Sequence, residues 1–241
     1  MIDEGYIKYR CDWNNTDAIK PASVMALTRY RNALHQLNFI GEYPGGIGFG
    51  NISQRLSPGP QFPQTPNPRI TAPPPHPRRL NVAADQFIIT GTQTGNLTTL
   101  TAADYALVTS FNPGQNSLTC QGLRKASSES LTHGVIYASH PAIGAIIHIH
   151  SPQLWKQLLG QVPTTRAEVP YGTPEMAAET QRLFAERDLA QLKIFAMAGH
   201  EDGIVTFGEN LQIAYRVLIN WCLMTGFMTQ LDSAAALQLP H

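Results

Sequence analysis

Cysteine is scarce in this chain. The three residues, Cys11, Cys120 and Cys222, are odd in number and far apart. That excludes a disulfide framework of the kind that staples small secreted domains, and it points to reduced thiols in a cytoplasmic protein. Net charge is also lacking, since 17 basic residues balance 17 acidic ones. Apart from Arg78-Arg79 no basic cluster stands out, which argues against a nucleic-acid partner. The opening Met-Ile-Asp-Glu-Gly has no basic segment leading into an apolar stretch, so no secretory signal is expected. No apolar run approaches the ~20 residues needed to cross a bilayer, so no membrane association is expected. No internal repeat is found. What remains is 241 residues, a length that fits one α/β domain with an ample core.

Pro21 suits a first helical position, and Val24, Leu27, Tyr30, Leu34 and Leu37 follow at helical spacing, predicting an amphipathic helix. Gly41 to Gly50 holds five glycines and one proline and cannot continue it. Gly48-Phe49-Gly50-Asn51-Ile52-Ser53 then enters a strand, with glycines that let backbone N–H groups approach a ligand. Nine of the 18 prolines fall between Pro58 and Pro77, so Ser57 to Arg79 reads as an extended surface insertion. Gln86 to Thr90 reads as a buried strand running into Gly91-Thr92-Gln93-Thr94-Gly95. Thr101 to Asp104 resembles a capping box opening a helix through Val108. Short helices are predicted at Gln153 to Leu159 and after Thr173-Pro174, and strands at Lys193 to Met197 and Ile204 to Phe207. A long helix is predicted from Glu209 to Gln230, with Ala214, Val217, Leu218, Trp221 and Met224 on its apolar face. The last ten residues read as a tail.

The chain is organised around Ala126 to Pro152. Ile143 to Ile149 is a short apolar, isoleucine-rich run and predicts a buried strand. Side chains alternate along a strand, so His148 and His150 share a face, about 7 Å apart at twice the ~3.3 Å rise, and can converge on one metal ion. Ser127 to Tyr137 predicts a short helix. Its free N–H groups and the hydroxyls of Ser127 and Ser128 suit an anion. Glu129 places a carboxylate at the same opening, close to both.

Ser127-Ser128-Glu129, His133, Tyr137 and His148-Ile149-His150-Ser151-Pro152 together resemble the centre of the class II aldolase/adducin family. Gly50-Asn51-Ile52-Ser53 resembles that family's first phosphate-binding segment, and Thr92-Gln93-Thr94-Gly95 the second. Gly199-His200, with Gly203 to Gly208 behind it, resembles the segment that supplies the third metal histidine. The motifs come in family order over roughly residues 20 to 225. The resemblance implies a single α/β domain with a central, mainly antiparallel sheet flanked by helices in three αβα layers. It also implies a homotetramer with sites between subunits. One departure stands out: the family's third histidine commonly sits in Asn-His-Gly, whereas Glu201 and Asp202 here separate His200 from Gly203. Those two carboxylates supply a fourth ligand, alter substrate choice, or simply form the turn.

Three neutral imidazoles with open positions match a catalytic zinc site, and manganese, cobalt or iron suit the same nitrogens. The expected ligands are His148, His150 and His200. His133 lies on the helical face of Glu129 and is expected to orient its neighbours. A metal beside an anion pocket formed by Asn51, Thr94, Gly95, Ser127 and Ser128 suits a small-molecule substrate, a phosphorylated sugar. The expected reaction is aldol cleavage or formation through a metal-stabilised enediolate, with Glu129 as general base and acid. Some family enzymes use a tyrosine as proton donor, and Tyr171 is a candidate. Sugar-phosphate epimerisation and dehydration are the alternatives within the family. Glutamate at 129 favours the aldolases, because the epimerase pattern resembles Ser-Ser-Asp. A binding module like the adducin head has no need of three converging imidazoles.

Overall fold

A computed structural model describes residues 6–56, 86–186 and 189–229. The proline-rich insertion expected at 57–79 and the tail expected over the last ten residues lie outside them. The strands are β1 (Arg10–Asn14), β2 (Gly41–Glu42), β3 (Gly48–Phe49), β4 (Asn51–Arg55), β5 (Phe87–Thr90), β6 (Tyr105–Asn112), β7 (Ser117–Gln121), β8 (Ala145–His150), β9 (Ile194–Ala196) and β10 (Gly203–Gly208). The helices are α1 (Pro21–Gln36), α2 (Ser130–Ser139), α3 (Pro152–Leu158), α4 (Pro174–Glu186), α5 (Leu189–Leu192) and α6 (Leu211–Met224). Among the described residues one eight-stranded sheet runs in the order β1-β7-β6-β5-β4-β8-β10-β9. Every pairing in it is antiparallel except the edge pair β1 and β7.

Alternation along β8 divides the interior into two cores. Ala145, Ile147 and Ile149 face one cluster with Leu27 and Leu34 of α1 and Leu218 of α6. Ile146 faces the other, with Leu131 of α2 and Met176 of α4. Each fully buried isoleucine contributes roughly 1.5–3 kcal/mol of apolar burial. His148 and His150 share the parity of Ile146 and so point to the α2 side. Asn51 pairs with His148 in register and Ser53 with Ile146, so those two β4 side chains lie on the same face.

Helix α1 follows the expected stripe, with Val24, Leu27, Tyr30 and Leu34 buried. Four expectations need correction. Thr101 to Asp104 makes its capping bonds, the Asp104 carboxylate accepting from the Thr101 N–H and hydroxyl at 2.9 Å each. The helix it opens is a single 3-10 turn, however, and Tyr105 to Val108 begin strand β6. Pairing with β5 on one side and β7 on the other overrides the local cap. The helix read from Ser127 starts at Ser130, because Glu129 stands at the N-cap with φ −90° and ψ 6°. The helix read as Glu209 to Gln230 runs from Leu211 to Met224. The Asn210 side chain caps its start by accepting from the Ile213 N–H, and Gly226 turns the chain left-handed (φ 70°) past its end. Met224, placed on the apolar face, is 73% exposed, whereas Cys222 in the same last turn is the residue that faces the core.

Candidate active site

Two ligand-type side chains come from the middle of the sheet and the third from the turn between β9 and β10. The ligand atoms of His148, His150 and His200 all lie within 4.8 Å of one another, and all three residues are buried. The Nε2 atoms of His148 and His150 stand 3.0 Å apart. Burial, and then the neighbouring imidazoles, hold the pKa values of His148 and His150 well below the ordinary histidine value. Two neutral nitrogens, of His148 and His150, thus stand together with the His200 imidazole in one cluster, a donor set that fits a divalent cation. Gly203 pairs with His150 across β10, and a Cβ there would meet the His200 carbonyl at 3.0 Å and His148 Cε1 at 3.2 Å.

Glu201 and Asp202 form the turn between His200 and Gly203. The Gly203 N–H donates to the His200 carbonyl at 3.0 Å, and Asp202 has φ 69°. Among the described residues neither carboxylate joins the cluster that could hold an ion.

Glu129 is 2% exposed. Its Oε2 accepts from the Thr132 hydroxyl at 3.0 Å, and its Oε1 lies 3.6 Å from His200 Nδ1. The carboxylate thus borders the histidine cluster. It also borders a pocket whose walls include Asn51, Thr94, Gly95, Ser127 and Ser128, the residues expected to hold an anion. Asn51 Oδ1 is buried there with no hydrogen-bond partner among the described residues. Gly95 leaves no room for a side chain, because a Cβ would stand 1.9 Å from the Gly41 carbonyl oxygen.

Several supporting residues escaped the sequence reading. Tyr43 Oη lies 2.8 Å from His150 Nδ1. With Nε2 turned to the cluster, Nδ1–H donates to that phenol and fixes the ring. Tyr43 sits among the glycines between β2 and β3, where only the loop's composition was legible. Arg31, fully buried on α1, donates to the carbonyls of Thr94 (2.7 Å), Gly95 (3.0 Å) and Leu97, clamping the pocket loop from behind. The Tyr171 ring stacks on His200 at 4.4 Å between centroids and 21° between planes, with Lys8 Nζ 3.8 Å from the Tyr171 ring centroid.

His133 stays out of the ion cluster. Its Nδ1 lies 2.7 Å from Ser53 Oγ, which is also 2.7 Å from Tyr137 Oη. Burial pushes its pKa down to about 3 from 6.5. The unfolded chain takes up this proton near pH 6.5 and the folded one resists it until near pH 3, so His133 lowers stability as pH falls through that window. Between pH 6.5 and 5 the loss is on the order of 2 kcal/mol. In urea titrations of metal-free protein, His133→Asn should show a smaller drop between pH 7 and pH 5 than the parent. Equal drops would mean that His133 does not titrate abnormally.

The profile of the class II aldolase and adducin N-terminal domain matches residues 46–222. The chain belongs to that family. Among solved structures, a sugar-phosphate aldolase from Thermotoga maritima is 19% identical, with 91% of this chain and 97% of that one covered and a TM-score of 0.56. YgbL from Escherichia coli, left open between aldolase, epimerase and decarboxylase, is 18% identical over 90% and 99% at a TM-score of 0.54. The L-fuculose-1-phosphate aldolase of Thermus thermophilus is 18% identical over 86% and 92% at 0.50. At such identities the likeness shows the fold, a central, mostly antiparallel sheet flanked by helices. No helix among the described residues is long and apolar enough to cross a membrane.

Proposed function

We propose that the protein is a divalent-metal-dependent aldolase that cleaves or forms a C–C bond in a sugar phosphate or a related hydroxyketone or hydroxyacid. The observation that carries this reading is the position of Glu129. Its buried carboxylate stands 3.6 Å from a histidine of the triad and on the wall of the pocket lined by Ser127, Ser128 and Thr94. When bound, the metal, zinc or else manganese, cobalt or iron, supplies Lewis-acid polarisation of the substrate's carbonyl and neighbouring hydroxyl oxygens.

The chain's own residues do the rest. His148, His150 and His200 are the proposed metal ligands, and Tyr43 orients His150. Ser127 and Ser128, with Asn51, Thr94 and the backbone around Gly95, bind the anionic end of the substrate ahead of α2, where N–H groups and the helix dipole favour negative charge. Glu129 takes the proton at the carbon beside the carbonyl and returns it, held in position by the Thr132 hydroxyl. Tyr171, fixed against His200, is the candidate donor to the departing or arriving oxygen. The resemblance to oligomeric relatives supports a homotetramer in which each such site borders a neighbouring subunit.

The test is an assay of metal-loaded protein against ketose phosphates and against 2-keto acids with aldehydes. Pentulose phosphates in the same panel read out epimerisation. Aldehyde release or capture is expected; turnover by epimerisation alone, or no turnover with full metal content, would overturn the aldolase reading.

Elemental analysis should find roughly one divalent ion per chain. His148→Ala should lose most of it, and full metal content in that variant would remove His148 from the ligand set.

A further inference from the structure

The sheet edge brings two of the three thiols together. Cys11 of β1 and Cys120 of β7 place their sulfurs 3.5 Å apart. The strands are parallel with Cys11 opposite Leu118 and Trp13 opposite Cys120, so the two cysteines are diagonal neighbours on one face. Cys120 is fully buried, Cys11 is half-buried at the edge, and Cys222 is buried in the other core. The ammonium of Lys125 lies over the Trp13 ring beside them, 5.4 Å from its centroid.

We infer that Cys11 and Cys120 form a modification site at which hydroperoxides drive reversible disulfide formation. A thiolate of the pair attacks the peroxide O–O bond, giving a sulfenic acid and hydroxide. The neighbouring thiol then attacks that sulfur, forming the S–S bond and releasing water. In sum two thiols lose two protons and two electrons, and hydrogen peroxide is reduced to two waters. The contact with Cys11 and the cation of Lys125 favour the ionised form of Cys120, whose thiolate attacks, and Cys11, half-buried at the edge, is the resolving thiol.

The bond would have consequences beyond the edge. A disulfide closes the sulfurs to about 2.05 Å, which draws β1 along β7. On the same strand segment the one O–H of Tyr9 is shared between the carbonyls of Ala126 (2.9 Å) and Ser127 (3.0 Å), and Trp13 donates to that of Gly122 at 2.9 Å. These bonds splint the segment that leads into Ser127-Ser128-Glu129. Oxidation therefore disturbs the pocket wall, whatever reaction the site performs.

The test treats full-length protein with hydrogen peroxide at modest excess, then counts thiols under denaturing conditions and measures mass. The expected result is a fall from three free thiols to one, a mass lower by two hydrogen atoms, a linked pair of peptides containing Cys11 and Cys120, and full reversal by dithiothreitol. Cys11→Ser should abolish the linkage, and mapping of the parent protein stands whether or not that variant folds. Three surviving thiols, added oxygen in place of lost hydrogen, or a linkage to Cys222 or between chains would overturn the site. Hydrogen exchange of the oxidised and reduced forms then tests the splint. Faster exchange over residues 122–130 is expected on oxidation, and unchanged exchange there with the disulfide in place would overturn the link to the pocket.

Discussion

Glu129→Gln is expected to lower turnover by roughly 10²–10⁴-fold, the scale on which a positioned general base is lost. The amide keeps the shape of the carboxylate, so its Oε1 can still accept from the Thr132 hydroxyl, and the fold should survive. Metal content should survive as well, because the carboxylate is not one of the proposed ligands. If Glu129 served only to favour the start of α2, the cost would be about 0.3–1 kcal/mol of stability with turnover nearly unchanged. Metal content, melting temperature and turnover measured on one preparation separate the two outcomes. Full activity in the variant would move the proton-transfer role to Tyr171 or to the Glu201-Asp202 turn.

Arg31→Met should cost stability of about 3–5 kcal/mol, the low end of the ~1–3 kcal/mol for each of three buried carbonyls left without a donor. For a chain of this size that corresponds to a fall of about 10 °C in melting temperature. The argument is one of unsatisfied acceptors. The guanidinium serves the carbonyls of Thr94, Gly95 and Leu97, and methionine offers none of them a donor. A side chain that merely filled space would tolerate the exchange at a cost below about 1.5 kcal/mol. Arg31→Lys should recover only part of the loss, since one ammonium cannot span three divergent carbonyls as a planar fork does. Inorganic phosphate titrated into Arg31→Lys should bind more weakly than to the parent, because the loop carrying Thr94 and Gly95 loses its brace. Unchanged melting in Arg31→Met would show that the loop holds itself.

The parts of the site that were legible in the sequence are those governed by local periodicity. The spacing of His148 and His150 declares a shared face once the isoleucines around them declare a strand, and Thr173-Pro174 marks the start of α4. The β1 segment, Arg-Cys-Asp-Trp-Asn, does alternate between exposed and half-buried positions, but five residues with no fully buried position present no apolar face to read. Thr101 to Val108 misleads because its real capping interaction governs one turn only, and strand pairing takes over at Tyr105. Tyr43, Arg31 and Tyr9 were illegible for another reason. Each acts through a partner more than sixty positions away, and no window of sequence contains both ends of such a bond. His200 was identified through the family resemblance, not from its own neighbourhood.

Strand β8 is hydrogen-bonded along both edges, to β4 and to β10, and every one of its six residues is buried. The pieces that border the pocket or the histidine cluster from outside the sheet are of a different kind: the glycine turn before Asn51, the stretch 91–95, the approach to α4 around Tyr171, and the turn after His200. Laboratory evolution toward new substrates thus has separable targets. Libraries on β8 would mostly yield unfolded chains, whereas libraries on those four loops would vary what the pocket admits while the scaffold beneath them holds still.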